Sequence, residues 1–141
     1  MTPLLQAQNF ILSEDFSVAL SILDEYAKHV RQQGLGRLAP NFNADRAYCL
    51  ARLGKLENAA QSLESIEQSV DATVHVDDLA VLYSRLRDCA ELTNLEEMRA
   101  RYDDEAWKNW KEFDSLADEL LLGIKGFLCE DPQQGDSAPQ T

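Results

Sequence analysis

Three cysteines are the most regularly spaced reactive side chains in this 141-residue sequence. Cys49, Cys89 and Cys129 follow one another at intervals of 40 residues. Thiols can form disulfides, bind zinc or act as nucleophiles, but the number of cysteines is odd and each one falls inside a helical pattern. We therefore interpret all three as reduced, buried and slowly reacting apolar side chains.

The other residues that could carry catalysis form no recognisable constellation. His29 and His75 are the two histidines, and neither belongs to a motif with a cysteine or a spaced carboxylate pair. Glycine-rich phosphate loops, zinc spacings and nucleophile elbows are missing from the sequence. Adjacent acids such as Glu96 and Glu97 could attract a divalent cation, but we assign them to helix starts and solvated faces. The sequence predicts a protein that is not an enzyme and needs no cofactor and no metal.

A formal net charge of −12 argues against partners that require a basic surface. Nucleic acids and anionic membranes are such partners, so neither is predicted to bind. The charge is concentrated late in the chain, with −3 over residues 1–87 and −9 over residues 88–141. No stretch approaches the roughly 18–20 apolar residues of a membrane span, and the start does not resemble a signal peptide, so the predicted location is cytoplasmic.

The 40-residue period extends to the apolar residues around the cysteines. Shifting residues 10–26 onto residues 50–66 pairs apolar with apolar at each position expected in a buried face. A third copy aligns when one residue is removed, because residues 51–57 then match residues 90–96. A fixed period of this size is typical of stacked helix pairs.

Capping residues, glycines and prolines divide the chain into helices. We predict helices near residues 3–12, 15–33, 41–53, 56–70, 77–92 and 95–112. Ser115 followed by Asp118 and Glu119 looks like a capping box, which predicts a separate last helix from Ser115 to just before Pro132. We interpret that helix as a half repeat that covers the open end of the core. Residues 131–141 are predicted to be disordered.

The copies resemble tetratricopeptide repeats of the longer, roughly 40-residue kind. In that family each unit is a helix hairpin with two small contact positions and a bulky residue one turn after the second. The corresponding residues in successive copies are Ala7, Ala47 and Leu86, then Ala19, Ala59 and Met98, and finally Leu23, Leu63 and Tyr102. The resemblance implies an all-α domain over residues 1–130, built as a right-handed superhelical array of about three hairpins plus a C-terminal capping helix.

The same resemblance implies a concave groove lined by the first helix of each hairpin. The family's groove positions fall on Gln8, Ile11, Asn41, Ala44, Tyr48, Tyr83 and Arg87. Tyrosine and arginine are frequent at binding hot spots, which favours a role in partner binding. The alternative is that the tyrosines only pack against neighbouring hairpins.

Trp107, Trp110 and Phe113 form an aromatic stripe along one helix face. The stripe is interpreted as core beneath the last helix. Alternatively, it is a partly exposed patch used for self-association or for a partner.

These features predict a non-catalytic module that binds a peptide or helix of a partner protein in its groove. Two further hypotheses are a chaperone of a bacterial secretion or assembly system and a regulatory module of a signalling protein. A homo-oligomer is possible.

Overall fold

The computed structural model describes residues 2–36 and 38–129, with side chains described up to residue 124 in the last helix. Six α-helices account for most of this part of the chain, and it contains no strand. The helices are α1 (Pro3–Leu12), α2 (Phe16–Gln33), α3 (Pro40–Arg52), α4 (Leu56–Gln68), α5 (Val76–Leu92) and α6 (Glu96–Cys129). Arg37 and the tail predicted for residues 131–141 lie outside the described residues.

Local sequence signals set most of the helix ends. Thr2 caps α1 by accepting a hydrogen bond from the Leu5 N–H at 3.2 Å, and proline occupies the first position of the helix, where its missing N–H costs least. Asp15 accepts from the N–H of Val18 at the start of α2. Gly34 ends α2 in the left-handed conformation, with φ of 63°.

The three tight turns inside the helix pairs repeat the 40-residue period. Glu14, Gly54 and Asn94 occupy the same place in successive turns and have φ of 62°, 85° and 60°. In each turn the N–H of the next residue donates to the carbonyl five residues before it, at 2.8, 2.9 and 2.9 Å. This is the hydrogen bond of a helix C-cap with one left-handed residue. The repeat is therefore present in the backbone as well as in the residue pattern.

The third copy is predicted to follow the second by 39 residues instead of 40. This spacing is wrong for the turn, where Gly54 and Asn94 are 40 residues apart, but it fits the buried face of α6. Tyr102 is fully buried and lies 39 residues after the fully buried Leu63. Met98, partly buried, likewise lies 39 residues after Ala59. The helix α6 thus presents its core-facing residues one position earlier after the turn than α4 does.

The helices form three pairs, α1–α2, α3–α4 and α5–α6. Within each pair, the two helices pack against each other across a tight turn. The pairs are joined through α3, which contacts both α2 and α5, while α4 also contacts α5. The core consequently has two parts. One lies among α1, α2 and α3 and includes Ala59 of α4, the other lies among α3, α4, α5 and α6, and Tyr48 of α3 packs against both. None of the helices in the described residues is both long and apolar enough to cross a membrane.

The predicted break between two helices at Asp114 and Ser115 is wrong. A single helix, α6, runs through these residues to Cys129. Its side chains beyond Asp114 do not cover the core: Leu116 is 50% exposed and Leu120 is 66% exposed. A serine and acids at exposed positions cost a helix only tenths of a kcal/mol each, so the residues of a capping box can lie in a helix interior. There is no separate capping helix at residues 115–124.

We predict that truncation after Asp114 changes the free energy of unfolding by less than about 1 kcal/mol, because the removed apolar side chains are already largely in water. Leu82→Ala is the comparison variant, since Leu82 is fully buried and its truncation should cost about 2–5 kcal/mol. Denaturant unfolding followed by circular dichroism measures both values. A loss of several kcal/mol on truncation would show that the end of α6 is part of the core.

Cys49 and Cys89 are fully buried, which confirms the prediction for two of the three cysteines. Burial raises the pKa of both thiols to about 12, so almost no thiolate is present at neutral pH. The side chain of Cys129 lies outside the described residues.

A thiol reagent should therefore label Cys49 and Cys89 about a thousandfold more slowly in the folded protein than in denaturant, since only the thiolate reacts. Mass spectrometry of the Cys129→Ser variant isolates these two positions. Fast labelling of either thiol under native conditions would contradict its placement in the core.

Candidate functional site

A groove runs across the first helices of the three pairs, α1, α3 and α5. It has a volume of about 600 Å³. Its apolar lining consists of Leu4, Leu12, Ala39, Ala44, Val81 and Leu82. Its polar lining consists of Gln8, Asn41, Asp45, Asp78 and Arg85. A single surface is thus assembled from helices that are far apart in sequence.

Helical spacing explains the lining of α5. Asp78, Val81, Leu82 and Arg85 stand at positions i, i+3, i+4 and i+7, which share one face of a helix. Buried Leu82 contributes to the core below, whereas Val81 is 45% exposed on the groove wall. Leu12, 81% exposed, stands at the α1 side. The groove therefore has apolar walls open to solvent.

An ion pair between α3 and α5 forms the polar part of the groove. Arg85 donates from Nε to Asp45 Oδ1 at 3.1 Å, and the Asp45 side chain is only 8% exposed. The Arg85 guanidinium also lies over the ring of Tyr48, 4.4 Å from the centroid. Arg85 also lines the groove, and within the described residues Asp45 is the side chain to which it donates a hydrogen bond.

Burial dominates the electrostatics of Asp45. Desolvation raises the pKa of this carboxyl above its usual range, although Arg85 and, more weakly, Gln8 act in the opposite direction. The charged form is thus costly to bury and depends on its arginine partner.

A further contact ties the α3 and α5 ends of the groove together. The Asn41 side-chain amide donates to the backbone carbonyl of Asp78 at 3.1 Å. The bond occupies Asn41 at the start of α3 and fixes its position against the first turn of α5. This end of the groove is therefore held by a structural contact.

The structure brings three of the seven predicted groove residues to the groove, namely Gln8, Asn41 and Ala44. Ala44 is fully buried and can only form part of the floor. Ile11 is also buried, within the core of α1, α2 and α3. Tyr48 lies beneath Arg85 and packs edge-on against Phe16, with 5.7 Å between the ring centroids.

Tyr83 and Arg87 do not line the α1–α3–α5 groove. Tyr83 turns toward α4 and α6: its hydroxyl donates to Glu67 at 3.3 Å, and its ring neighbours Tyr102. Arg87 pairs with Asp103 of α6 at 3.1 Å. Both residues stand on the side of α5 that faces α4 and α6.

Sequence analysis missed the charged pair, although a signal was present. Asp45 and Arg85 have opposite charge and are separated by one 40-residue period. Positions one period apart lie in adjacent repeats of a stacked array, so opposite charges there predict a contact between repeats. The exposed walls, Leu12 and Val81, carry no such signal.

A second surface lies at the far end of α6. An open groove of about 730 Å³ separates the start of α5 from the part of α6 that follows Asn109. Trp107 is 63% exposed, so its interpretation as core is wrong. Trp110 donates from its ring N–H to Ser84 at 3.2 Å and stands edge-on to Phe113.

Among the side chains that the structure describes, no group of three or more histidines, cysteines, aspartates or glutamates is arranged to hold a metal ion. Comparison with protein-family models, with curated proteins and with solved structures finds no match to this chain. A function for this chain is therefore inferred from the chemistry of its own surfaces.

We predict that Arg85→Met destabilises the protein by about 2–4 kcal/mol at pH 7, because it leaves the Asp45 carboxylate buried without a partner. The double variant Asp45→Leu, Arg85→Met should recover most of this loss. Arg85 lowers the pKa of Asp45, so in the folded variant this carboxyl keeps its proton to higher pH than in the folded wild type, while the two unfolded chains are alike. The deficit therefore grows as pH rises from about 4. Urea unfolding at pH 4 and pH 7 tests both points, and a deficit that is equal at the two pH values would contradict them.

Proposed function

We propose that this chain is a non-catalytic protein-interaction module of tetratricopeptide-like architecture that binds a peptide or helix of a partner in the α1–α3–α5 groove. The observation that supports it most is the composition of this groove. Exposed apolar walls at Leu12 and Val81 flank the guanidinium of Arg85, which also lines the groove. Interfaces commonly combine an apolar surface with a few fixed polar groups in this way.

The pair geometry supports a specific chemistry for the ligand. Because Asp45 holds Arg85 through Nε, and Tyr48 supports the guanidinium from below, the arginine is positioned before a ligand arrives. A preorganised side chain loses less conformational entropy on binding. The groove thus suits a segment with apolar side chains for its walls and a carbonyl or carboxylate oxygen for Arg85.

A tetratricopeptide-like superhelix is consistent with the repeated turns and with the packing of each helix pair on the next. Such arrays use a concave surface formed by the first helices of the pairs as their binding face. The groove lies along those helices, which supports the assignment of this surface.

Selection of peptides from a displayed random library against the full chain tests the proposal. We expect selected peptides to bind with micromolar dissociation constants and to shift the amide resonances of α1, α3 and α5. Leu12→Glu or Val81→Glu should weaken binding at least tenfold, because a charge replaces an apolar contact on the groove wall.

Val18→Glu is the matched control, since Val18 is a partly exposed aliphatic residue on α2 and does not line the groove. It should leave peptide affinity unchanged. If no peptides are selected, or if their resonance shifts map away from α1, α3 and α5, the proposed function is wrong.

A further inference from the structure

The apolar seam of α6 continues beyond the helices that cover it. Tyr102, Ala106 and Asn109 are buried on one face of α6. The same face continues at Phe113, Leu116, Leu120 and Ile124, with the spacing of three and four residues that keeps side chains on one side of a helix. All four are exposed large apolar residues.

The seam loses its cover because α5 begins at Val76. Alongside Phe113 and Leu116, the groove wall is formed by the residues that lead into α5, including Val74, and by its first turn. The groove continues along α6 as far as Leu120. An open apolar surface of this kind, next to a wall of a second element, has the form of a site that receives a helix.

Residues 130–141 contain nothing that could cover the seam. Their largest apolar side chains are those of alanine and proline. A segment without leucine, isoleucine, valine, methionine or an aromatic residue offers too little apolar area to bury four exposed side chains.

One edge of the seam is negatively charged. Glu105, Glu112 and Glu119 follow one another at seven-residue intervals, so they line the same side of the apolar face. Asp77 lies across the groove at the start of α5, where it lines the same cavity as Glu112. Of the lysines in this part of α6, Lys111 stands on the opposite side of the helix, whereas Lys108 lies beside Glu112 at the i, i+4 spacing. The edge thus carries three glutamates and one lysine and keeps a net negative charge.

The charge pattern disfavours a second copy of this chain as the occupant. In a two-fold antiparallel pairing of the seams centred near Leu116, Glu112 of one copy would face Glu119 of the other. Each copy also carries a net charge of −12, which adds repulsion at longer range. A helix with basic edges meets the same surface with attraction.

We propose that the exposed seam of α6 (Phe113, Leu116, Leu120 and Ile124) is a second docking site, distinct from the α1–α3–α5 groove, for an amphipathic helix of a partner protein whose apolar stripe is edged by lysine or arginine. The docked helix lies beside the end of α6, where it continues the path of α5 beyond Val76. Its leucine-type side chains pack on the seam, and its basic residues face Glu112, Glu119 and Asp77.

Two synthetic helical peptides serve as probes. Both peptides carry leucine along the face that packs on the seam. One has lysine along the edges of that face, and the other has glutamate at the same positions. Calorimetric titration of the full chain at low ionic strength should show at least tenfold tighter binding of the lysine peptide. Added salt should weaken that binding because the edge charges are exposed.

Charge reversal and its matched control locate the site. Glu112→Lys with Glu119→Lys should invert the preference between the two peptides. Asp104→Lys with Asp118→Lys makes the same change in net charge at exposed positions away from the glutamate edge, and should leave the lysine peptide preferred by the same factor as in the wild type. Leu116→Ser with Leu120→Ser should abolish binding while the circular dichroism melt stays unchanged.

Sedimentation of the chain alone completes the test, and a monomer is expected. Equal affinity for both peptides, no binding of the lysine peptide, or a preference unaffected by Glu112→Lys with Glu119→Lys overturns the proposal. A dimer that Leu116→Ser with Leu120→Ser dissociates also overturns it and identifies a second copy as the occupant. None of these outcomes involves Leu12 or Val81, so failure here is distinguishable from failure of the α1–α3–α5 groove.

Discussion

The packing of α3 on two sides is the constraint on which the rest of the structure depends. This helix contacts α2 in one half of the core and α5 in the other. Ala44, Ala47, Cys49 and Ala51 are its buried small residues, and they allow neighbouring helices to approach closely. A larger side chain at these positions would force helices apart, because close-packed interiors have no room for added volume. The two parts of the core, and the groove beside them, therefore depend on the small side chains at the contact positions of α3.

The same constraint explains why charged groups lie near the core. Asp45 occupies one of the inward positions of α3 and is buried with it. Its partner Arg85 comes from α5, the helix that α3 brings alongside. The pair therefore depends on the spacing of the two helices, which positions Arg85 toward the groove. Replacing a buried ion pair by apolar residues often costs no stability. The position of the Asp45–Arg85 pair is therefore more informative about specificity than about folding.

Helix positions were predictable from local signals, while helix faces were not. Capping residues such as Thr2 and Asp15 act within one turn, and the predicted starts of the first five helices fall within one residue of those observed. The face that each helix buries depends on contacts with helices distant in the sequence. Tyr83 illustrates this, since its place between α4 and α6 follows from the rotation of α5 rather than from its own residue type.

The continuation of α6 through Ser115 has consequences for geometry at larger scale. A helix of 34 residues is about 51 Å long at a rise of 1.5 Å per residue. Because no turn interrupts it, its far end keeps a fixed direction relative to the three helix pairs. Helix α5 lines both the α1–α3–α5 groove and the groove beside the seam of α6, so one helix joins the two proposed surfaces and sets the separation between them. A ligand that carries two binding segments joined by a linker of matching span would bind with an effective concentration set by that separation, and a shorter linker could not engage both surfaces at once.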